Sequence, residues 1–442
     1  MDHENVRENR QTASEVFQSV LKAVDPYALV EQEIGRIVST YRNGNYQRLL
    51  VISFGKAAFE MVRAVSDFAG DILTSGIIIT KYGHLRDETL ASSIRCFEAA
   101  HPVPDEYGLA ATEKVIDALR EADEKTLVVC LISGGGSALL AAPLDRITLR
   151  EKQQLTQELL KAGADIQELN TVRKHISRVK GGRLAEMAYP AGVLSLILSD
   201  VIGDRLDVIA SGPTSPDQTT YRDALDVIQR YKLREKIPSI ITKILEEGVR
   251  LEIPETPKAG NIIFNKVENV IIGSNIKAIG IAAAEAERAG YQATILSTEL
   301  QGEASEVAKW LALKAQEVQR SVSRSPGKKI CLIAGGETTV TVRGGGLGGR
   351  NMELALSFAI AIKGVQGVTL LSAGTDGTDG PTDAAGAIVD GMTVENAAKA
   401  GIMADRYLQN NDSYTFFKAI DGLFITGPTG TNVMDIQIIL IE

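Results

Sequence analysis

The chain has 442 residues, 44% hydrophobic and 23% charged, a globular balance that excludes a disordered polypeptide and leaves apolar material for two cores. A formal net charge of -9 argues against broad nucleic-acid binding, although local cations can still gather around an anionic ligand. No apolar run approaches the roughly 18 residues of a membrane span, and the charged opening MDHENVRENR lacks a signal peptide's apolar stretch; the expected compartment is the cytoplasm.

Short apolar runs alternate with amphipathic stretches. Residues 48–53, 75–80, 94–100, 126–133 and 193–199 read as strands, with helices over 56–68, 105–120 and much of 148–188. Strands separated by helices imply βαβ units and a mainly parallel sheet. Residues 246–265, with Pro254, Pro257 and Gly260, form the best linker candidate. The alternation then restarts, with strands at 267–273, 291–297, 329–335, 338–344, 368–374 and 435–441 and helices over 276–289 and 303–322. On the last of these, Val307, Trp310, Leu311 and Val318 are expected to face the core. The reading is two α/β domains in series, residues 1–255 and 256–442.

The cysteines, Cys96, Cys130 and Cys331, match no zinc or redox spacing and read as buried reduced thiols. The four histidines, His3, His84, His101 and His175, form no motif, which weakens hydrolase and histidine–metal readings.

Glycines and aspartates collect where strands end, and in α/β sheets the carboxyl ends of strands carry function. Ser53-Phe54-Gly55-Lys56 puts a lysine at the start of a helix, an anion site or merely a surface turn. Ser133-Gly134-Gly135-Gly136-Ser137 follows an apolar strand without a Walker lysine, and its backbone N–H groups suit phosphate or carboxylate oxygens. Asp200 and Asp204 follow another strand and suit a divalent metal, a hydroxyl proton or loop capping. Gly335-Gly336-Glu337 precedes Gly344-Gly345-Gly346-Leu347-Gly348-Gly349-Arg350-Asn351. This fits G-x-G-x-x-G, but the arginine favours a dense anion over a nicotinamide. Thr375, Asp376, Asp379 and Asp383 supply hard oxygens of the kind Mg²⁺ prefers. Thr426 to Val433 reads as a polar loop closing over a ligand. Anion cradles, cations and clustered aspartates are the parts of phosphoryl transfer.

The segments FGKAA, SGGGSALL, SDVIGDRLDVIASGPTSPD, GGETTVTVRGGGLGGRN, GTDGTDGPTDAAGAIVD and GPTGTNVMD resemble the class II glycerate 2-kinases with a C-terminal MOFRL domain, over nearly the whole chain. The resemblance implies two α/β domains with a deep interdomain cleft. The first is a Rossmann-like three-layer sandwich with a mainly parallel sheet; the second has a mixed sheet and includes the MOFRL region at about 328–440. It implies transfer of the ATP γ-phosphate to the 2-hydroxyl of D-glycerate, giving 2-phosphoglycerate and ADP, with Mg²⁺ or another divalent cation. Lys56, Arg350 and Asp200 would then be catalytic. Ser133, Gly134, Gly135, Gly136, Ser137, Asn275, Gly335, Gly336, Glu337, Gly346, Gly348, Gly349, Asn351, Thr375 and Asp376 would bind substrate or nucleotide, and Asp204 and Asp376 the metal. The partners are D-glycerate and ATP, with no nucleic acid and no membrane; the sequence leaves the oligomeric state open, a homodimer being one option. Two rivals are an NAD(P)H-dependent hydroxypyruvate reductase and a non-catalytic sugar-acid binding protein. Against the reductase, the next strand-end acid, Asp376, lies well beyond the ~20-residue spacing a dinucleotide fold expects.

Overall fold

A computed structural model of the chain describes residues 3–86, 90–322 and 327–442. The chain forms two compact units. One comprises Pro26–Ser199 and Asp204–Ile272; the other comprises Asp200–Gly203, Gly273–Glu442 and the N-terminal residues up to Asp25.

The 26–272 unit is built on a six-stranded sheet. Its strands are β1 (Arg48–Phe54), β2 (Leu73–Lys81), β3 (Ile94–Ala99), β4 (Thr126–Ile132), β5 (Gly192–Leu198) and β6 (Val267–Gly273), in the order β3-β2-β1-β4-β5-β6. The pairings β2–β3, β1–β2, β1–β4 and β4–β5 are parallel. Strands β4 and β5 are buried at every position, so apolar residues run continuously rather than alternating, as a sheet covered on both faces requires. The chain leaves β1 toward β2 and then returns to place β4 on its other side. The strand order therefore reverses between β1 and β4, the switch point where an open α/β sheet receives ligands.

The second sheet contains β7 (Gln292–Leu300), β8 (Ile330–Gly336), β9 (Val368–Gly374), β10 (Gly386–Asp390), β11 (Leu423–Phe424) and β12 (Asp435–Ile441), in the order β11-β10-β9-β12-β8-β7. Only β7–β8 is parallel among its pairings; β12 runs antiparallel to both β8 and β9. The mixed sheet agrees with the sequence reading. The N-terminal helix His3–Ala23, which the sequence reading passed over, belongs to this unit, and Arg10 donates two hydrogen bonds to Asp390 Oδ2, at 2.9 and 2.7 Å.

Three expectations need correction. Residues 338–344 form no strand; Thr339 makes an isolated bridge to Glu303, and Asn411 Oδ1 accepts from the Arg343 and Gly344 N–H groups. Thr/Val alternation there matches a strand, but no neighbouring strand pairs with it. On the helix Ala304–Val322 the buried face is formed by Ala304, Ala308, Leu311, Ala312, Ala315 and Val322, with Val307 and Val318 packed beside them, while Trp310 is 38% exposed. Cys130 and Cys331 are buried, but Cys96 is exposed.

Residues 246–265 lie wholly within the 26–272 unit, and a buried polar network ties their middle down. His175 Nε2 lies 3.0 Å from Glu255 Oε1, and Glu255 Oε2 accepts from the Tyr221 N–H. Burial works against the Glu255 carboxylate, yet His175 and backbone donors at Tyr221 and Thr256 bring it down to about 2. Thr256 donates to Asp217, which also holds the buried Lys174 ammonium at 3.2 Å. Asp217→Ala would leave Lys174 with only the longer contact to Asp207, at 3.5 Å. Stranding a buried charge costs roughly 3–5 kcal/mol. The variant is therefore expected to unfold at markedly lower urea, with a changed 255–258 segment in hydrogen exchange; a wild-type midpoint would refute this account.

Candidate active site

In the 26–272 unit the site is built at the switch point. Gly55 follows β1 with φ at 131°, and a Cβ there would stand 2.1 Å from Ser133 Oγ, so only glycine lets the two strand ends approach. Ser133 Oγ accepts from the Ala57 N–H, and the Lys56 N–H donates to Gly134 O. The helix starts at Ala58, so Lys56 lies in the turn before it rather than at its first position. A Cβ on Gly135 would meet His101 at 3.1 Å and the Lys56 side chain at 3.4 Å, which places the lysine stem over the glycine loop. Burial first, then Lys56, Lys81 and His84, push the His101 imidazole down to about 4, so it is neutral at physiological pH.

The ASGPT segment supports this loop from beneath. Ala210, Ser211 and Gly212 all have positive φ, of 50°, 64° and 62°. Two successive non-glycine residues in that region are strained, a state that persists only where the surroundings enforce it. Ser211 Oγ lies 2.8 Å from Ser137 Oγ and donates to Asn170 Oδ1 at 3.0 Å, while Lys180 Nζ donates to Ser137 O at 2.8 Å.

In the other unit, register sets the geometry. Asp435, the first residue of β12, pairs with Gly336 on one side and Gly374 on the other. The carboxyl ends of β8 and β9 therefore deliver Glu337 and Thr375-Asp376 to the edge where β12 begins. Asp435 is 1% exposed and is gripped bidentately by Arg350, with Nε to Oδ2 at 2.6 Å and Nη2 to Oδ1 at 2.9 Å. Arg350 Nη1 lies 3.0 Å from Glu337 Oε1. Burial opposes the Arg350 cation, but Asp435 and then Glu337 outweigh it and hold the guanidinium firmly protonated. Glu337 is pushed upward by partial burial, with Arg350 opposing and Asp435, Asp200 and Asp376 reinforcing the rise. Asp200, Glu337, Arg350 and Asp376 thus form one electrostatic group.

Asp204 belongs to the 26–272 unit, whereas Asp376 belongs to the other. Asn275 and Asn351 are buried. Asn275 Nδ2 donates to Val433 O and Asp435 O, and the Asn351 amide N–H donates to Asp379. Asp379 caps the helix Arg350–Ala361 through two backbone N–H groups, although burial pushes its carboxyl up to about 7. Thr375 Oγ1 donates to Met434 O and accepts from the Val433 N–H.

The glycine run also has a packing reason. A Cβ at Gly344, Gly346, Gly348 or Gly349 would fall within 2.4 Å of Asn410, Asp412, Ser413 or Asp379. The N–H groups of Gly344, Gly345, Gly346 and Leu347 donate to residues 410–412. With no strand before it and its donors engaged, the run lacks the context of a dinucleotide fingerprint. Asp435 was missed in the sequence; its only signal is a lone acid opening the apolar run DIQIILI.

Two family models match the chain: the domain of unknown function DUF4147 over residues 12–246 and the MOFRL family over residues 330–435. A D-glycerate 2-kinase of Thermotoga maritima is 45% identical over 98% of both chains. A crystal structure of a glycerate kinase from Thermotoga maritima superposes with a TM-score of 0.89 at 43% identity, covering 99% of this chain and 100% of that one.

The chain belongs to the glycerate kinases with a C-terminal MOFRL domain.

Names within this group of similar proteins differ. An Agrobacterium vitis protein, 41% identical over 98% of this chain and 94% of its own, carries the name of a hydroxypyruvate reductase.

For this MOFRL glycerate kinase, the sequence alone suggests that Arg350→Lys would leave stability almost unchanged. The structure reverses that expectation. A lysine cannot span both oxygens of the buried Asp435, and losing that fork is worth about 2–3 kcal/mol. Differential scanning calorimetry should show a Tm lower by several degrees; an unchanged Tm would show that the pair carries little of the fold's stability.

Proposed function

We propose that this protein transfers the γ-phosphate of ATP to the 2-hydroxyl of D-glycerate, giving 2-phosphoglycerate and ADP. The observation that carries the reading is the division of charge. The loops that end β1 and β4 present Lys56 and a glycine turn to an anion, while in the other unit Glu337 pairs with one fixed arginine and feels the charges of Asp200 and Asp376. Phosphoryl transfer needs cations for the transferring group and carboxylates for the proton and the metal.

In this reading the 2-hydroxyl oxygen attacks the γ-phosphorus, the bond to the β–γ bridging oxygen breaks, and ADP leaves. Glu337, raised above an ordinary carboxylate, accepts the hydroxyl proton. Arg350, fixed along its Nε–Nη2 edge by Asp435, offers its Nη1 edge to phosphoryl oxygens once Glu337 yields it. Lys56 is the cation that the 26–272 unit offers to an anionic ligand.

Among the described residues no three His, Cys, Asp or Glu side chains group closely enough to cage a metal ion. Mg²⁺ on nucleotide phosphates commonly takes only one or two protein carboxylates, and the hard oxygens of Asp200 and Asp376 fit that mode. When bound it would neutralise phosphate charge. Asp204 holds no metal in this reading. No described helix is long and apolar enough to cross a membrane.

A coupled assay tests the function. ATP with D-glycerate should release ADP, and hydroxypyruvate with NADPH should leave absorbance at 340 nm unchanged. Hydride consumption without ADP release would favour the reductase, and neither activity a binding protein. Lys56→Ala should lower kcat on the order of 10²-fold with an unchanged Tm. Glu337→Gln should lower kcat and remove the acid limb of its pH profile. That limb arises because the base must be deprotonated, so activity falls as pH drops through its raised pKa. A Glu337→Gln profile with the wild-type limb would assign the proton elsewhere.

A further inference from the structure

Beside the Ser133–Ser137 loop lies a cavity of about 280 Å³, entirely within the 26–272 unit. Three cations line it: Lys152, Arg173 and Lys180. Lys152 is 4% exposed and its Nζ has no hydrogen-bond partner. Lys180 is 1% exposed and donates only to neutral oxygens, those of Ser137 and Ala210. Arg173, from the helix Ile166–His175, makes no ion pair among the described residues. No aspartate or glutamate lines the cavity.

A desolvated cation without a counter-charge is costly, and three around one space repel one another. Burial, then Arg173, push the Lys152 ammonium down to about 8, so it still carries its charge at neutral pH. Burial, followed by Lys152 and Arg173, also pushes the Lys180 ammonium well below its ordinary value. The glycine loop points the same way. Among the described residues, the N–H groups of Gly134, Gly135 and Ser137 have no acceptor in the protein. Convergent N–H groups and unpaired cations describe an anion site that the protein itself does not fill.

We infer that this cavity is the subsite for the polyphosphate tail of the nucleotide, held by Lys152, Arg173 and the Ser133–Ser137 loop, with Lys180 bracing that loop. Charge chooses between the two anions of the reaction. A hydroxy-acid carboxylate brings one negative charge and would leave two buried cations uncompensated. A di- or triphosphate brings enough to balance all three. The position agrees, because Lys56 passes over Gly135 on the same loop and so stands next to the end of such a tail. The inference rests on the kinase reading for the identity of the nucleotide, but the anion site itself does not.

The test is equilibrium binding by calorimetry on the full chain, with pyrophosphate, ADP and D-glycerate as separate probes. Lys152→Met and Arg173→Met are compared with wild type. Lys152→Met should fold, with an apo Tm at or above wild type, because it removes a buried unpaired charge. Both variants should bind pyrophosphate and ADP about 10- to 100-fold more weakly, the loss expected for a charge-assisted contact. D-glycerate affinity should change less than threefold. Unchanged pyrophosphate and ADP affinities in both variants, or a loss confined to D-glycerate, would overturn the subsite. If wild type binds pyrophosphate as expected and the variants lose it, yet no ADP forms from ATP and D-glycerate, the anion site stands and the kinase reading fails. If wild type releases ADP while the variants bind pyrophosphate normally, the subsite alone falls.

Discussion

Asp435 opens a central strand with its carboxylate almost out of water, flanked in register by Gly336 and Gly374. A buried carboxylate needs a partner, and Arg350 supplies both of its inner nitrogens. Much else in that unit follows from this pair. Arg350 must begin its helix beside the β12 strand end, so the preceding glycines pack tightly against residues 410–413 and Asp379 to bring it there. Glu337 then meets the one remaining edge of the guanidinium, close enough to Asp200 and Asp376 for their charges to raise its carboxyl. The arginine is thus a fixed post around which the titratable groups are arranged.

The 26–272 unit solves a different problem with similar means. Its sheet reverses strand order between β1 and β4, which brings Gly55-Lys56 and Ser133–Ser137 together. Below them, a strained Ala210–Ser211 turn and the buried Lys180 hold the loop in place. Strain and buried charge are both unfavourable, and their concentration under one loop marks where the fold gives up stability for a site. The carboxylates of the other unit and the cations of this one are therefore each prepared by backbone geometry before any ligand arrives.

Much of this was legible in the sequence, for identifiable reasons. Buried parallel strands such as β4 and β5 read as continuous apolar runs, and the clusters at Lys56, Ser133–Ser137, Glu337 and Asp376 stood out because glycine and aspartate interrupt such runs. What escaped depends on long-range pairing. Nothing local shows that Asp435 faces Arg350, or that the glycines of 344–349 accommodate a neighbouring chain segment. The prolines near Glu255 suggested a linker, because composition cannot reveal that His175 and Tyr221 hold that carboxylate. Lys152, Arg173 and Lys180 looked like ordinary helical and loop cations; only the fold shows that they share one cavity.

The central claim is that Arg350 and Asp435 act as one unit that positions the chemistry. A double-mutant cycle with Arg350→Met, Asp435→Leu and the pair, read in both unfolding free energy and kcat, tests it most directly. The account predicts strong non-additivity: each single variant strands a buried charge and loses several kcal/mol, while the pair recovers about 2–4 kcal/mol of stability without recovering activity. Additive stabilities, or a wild-type kcat in Asp435→Leu, would contradict it.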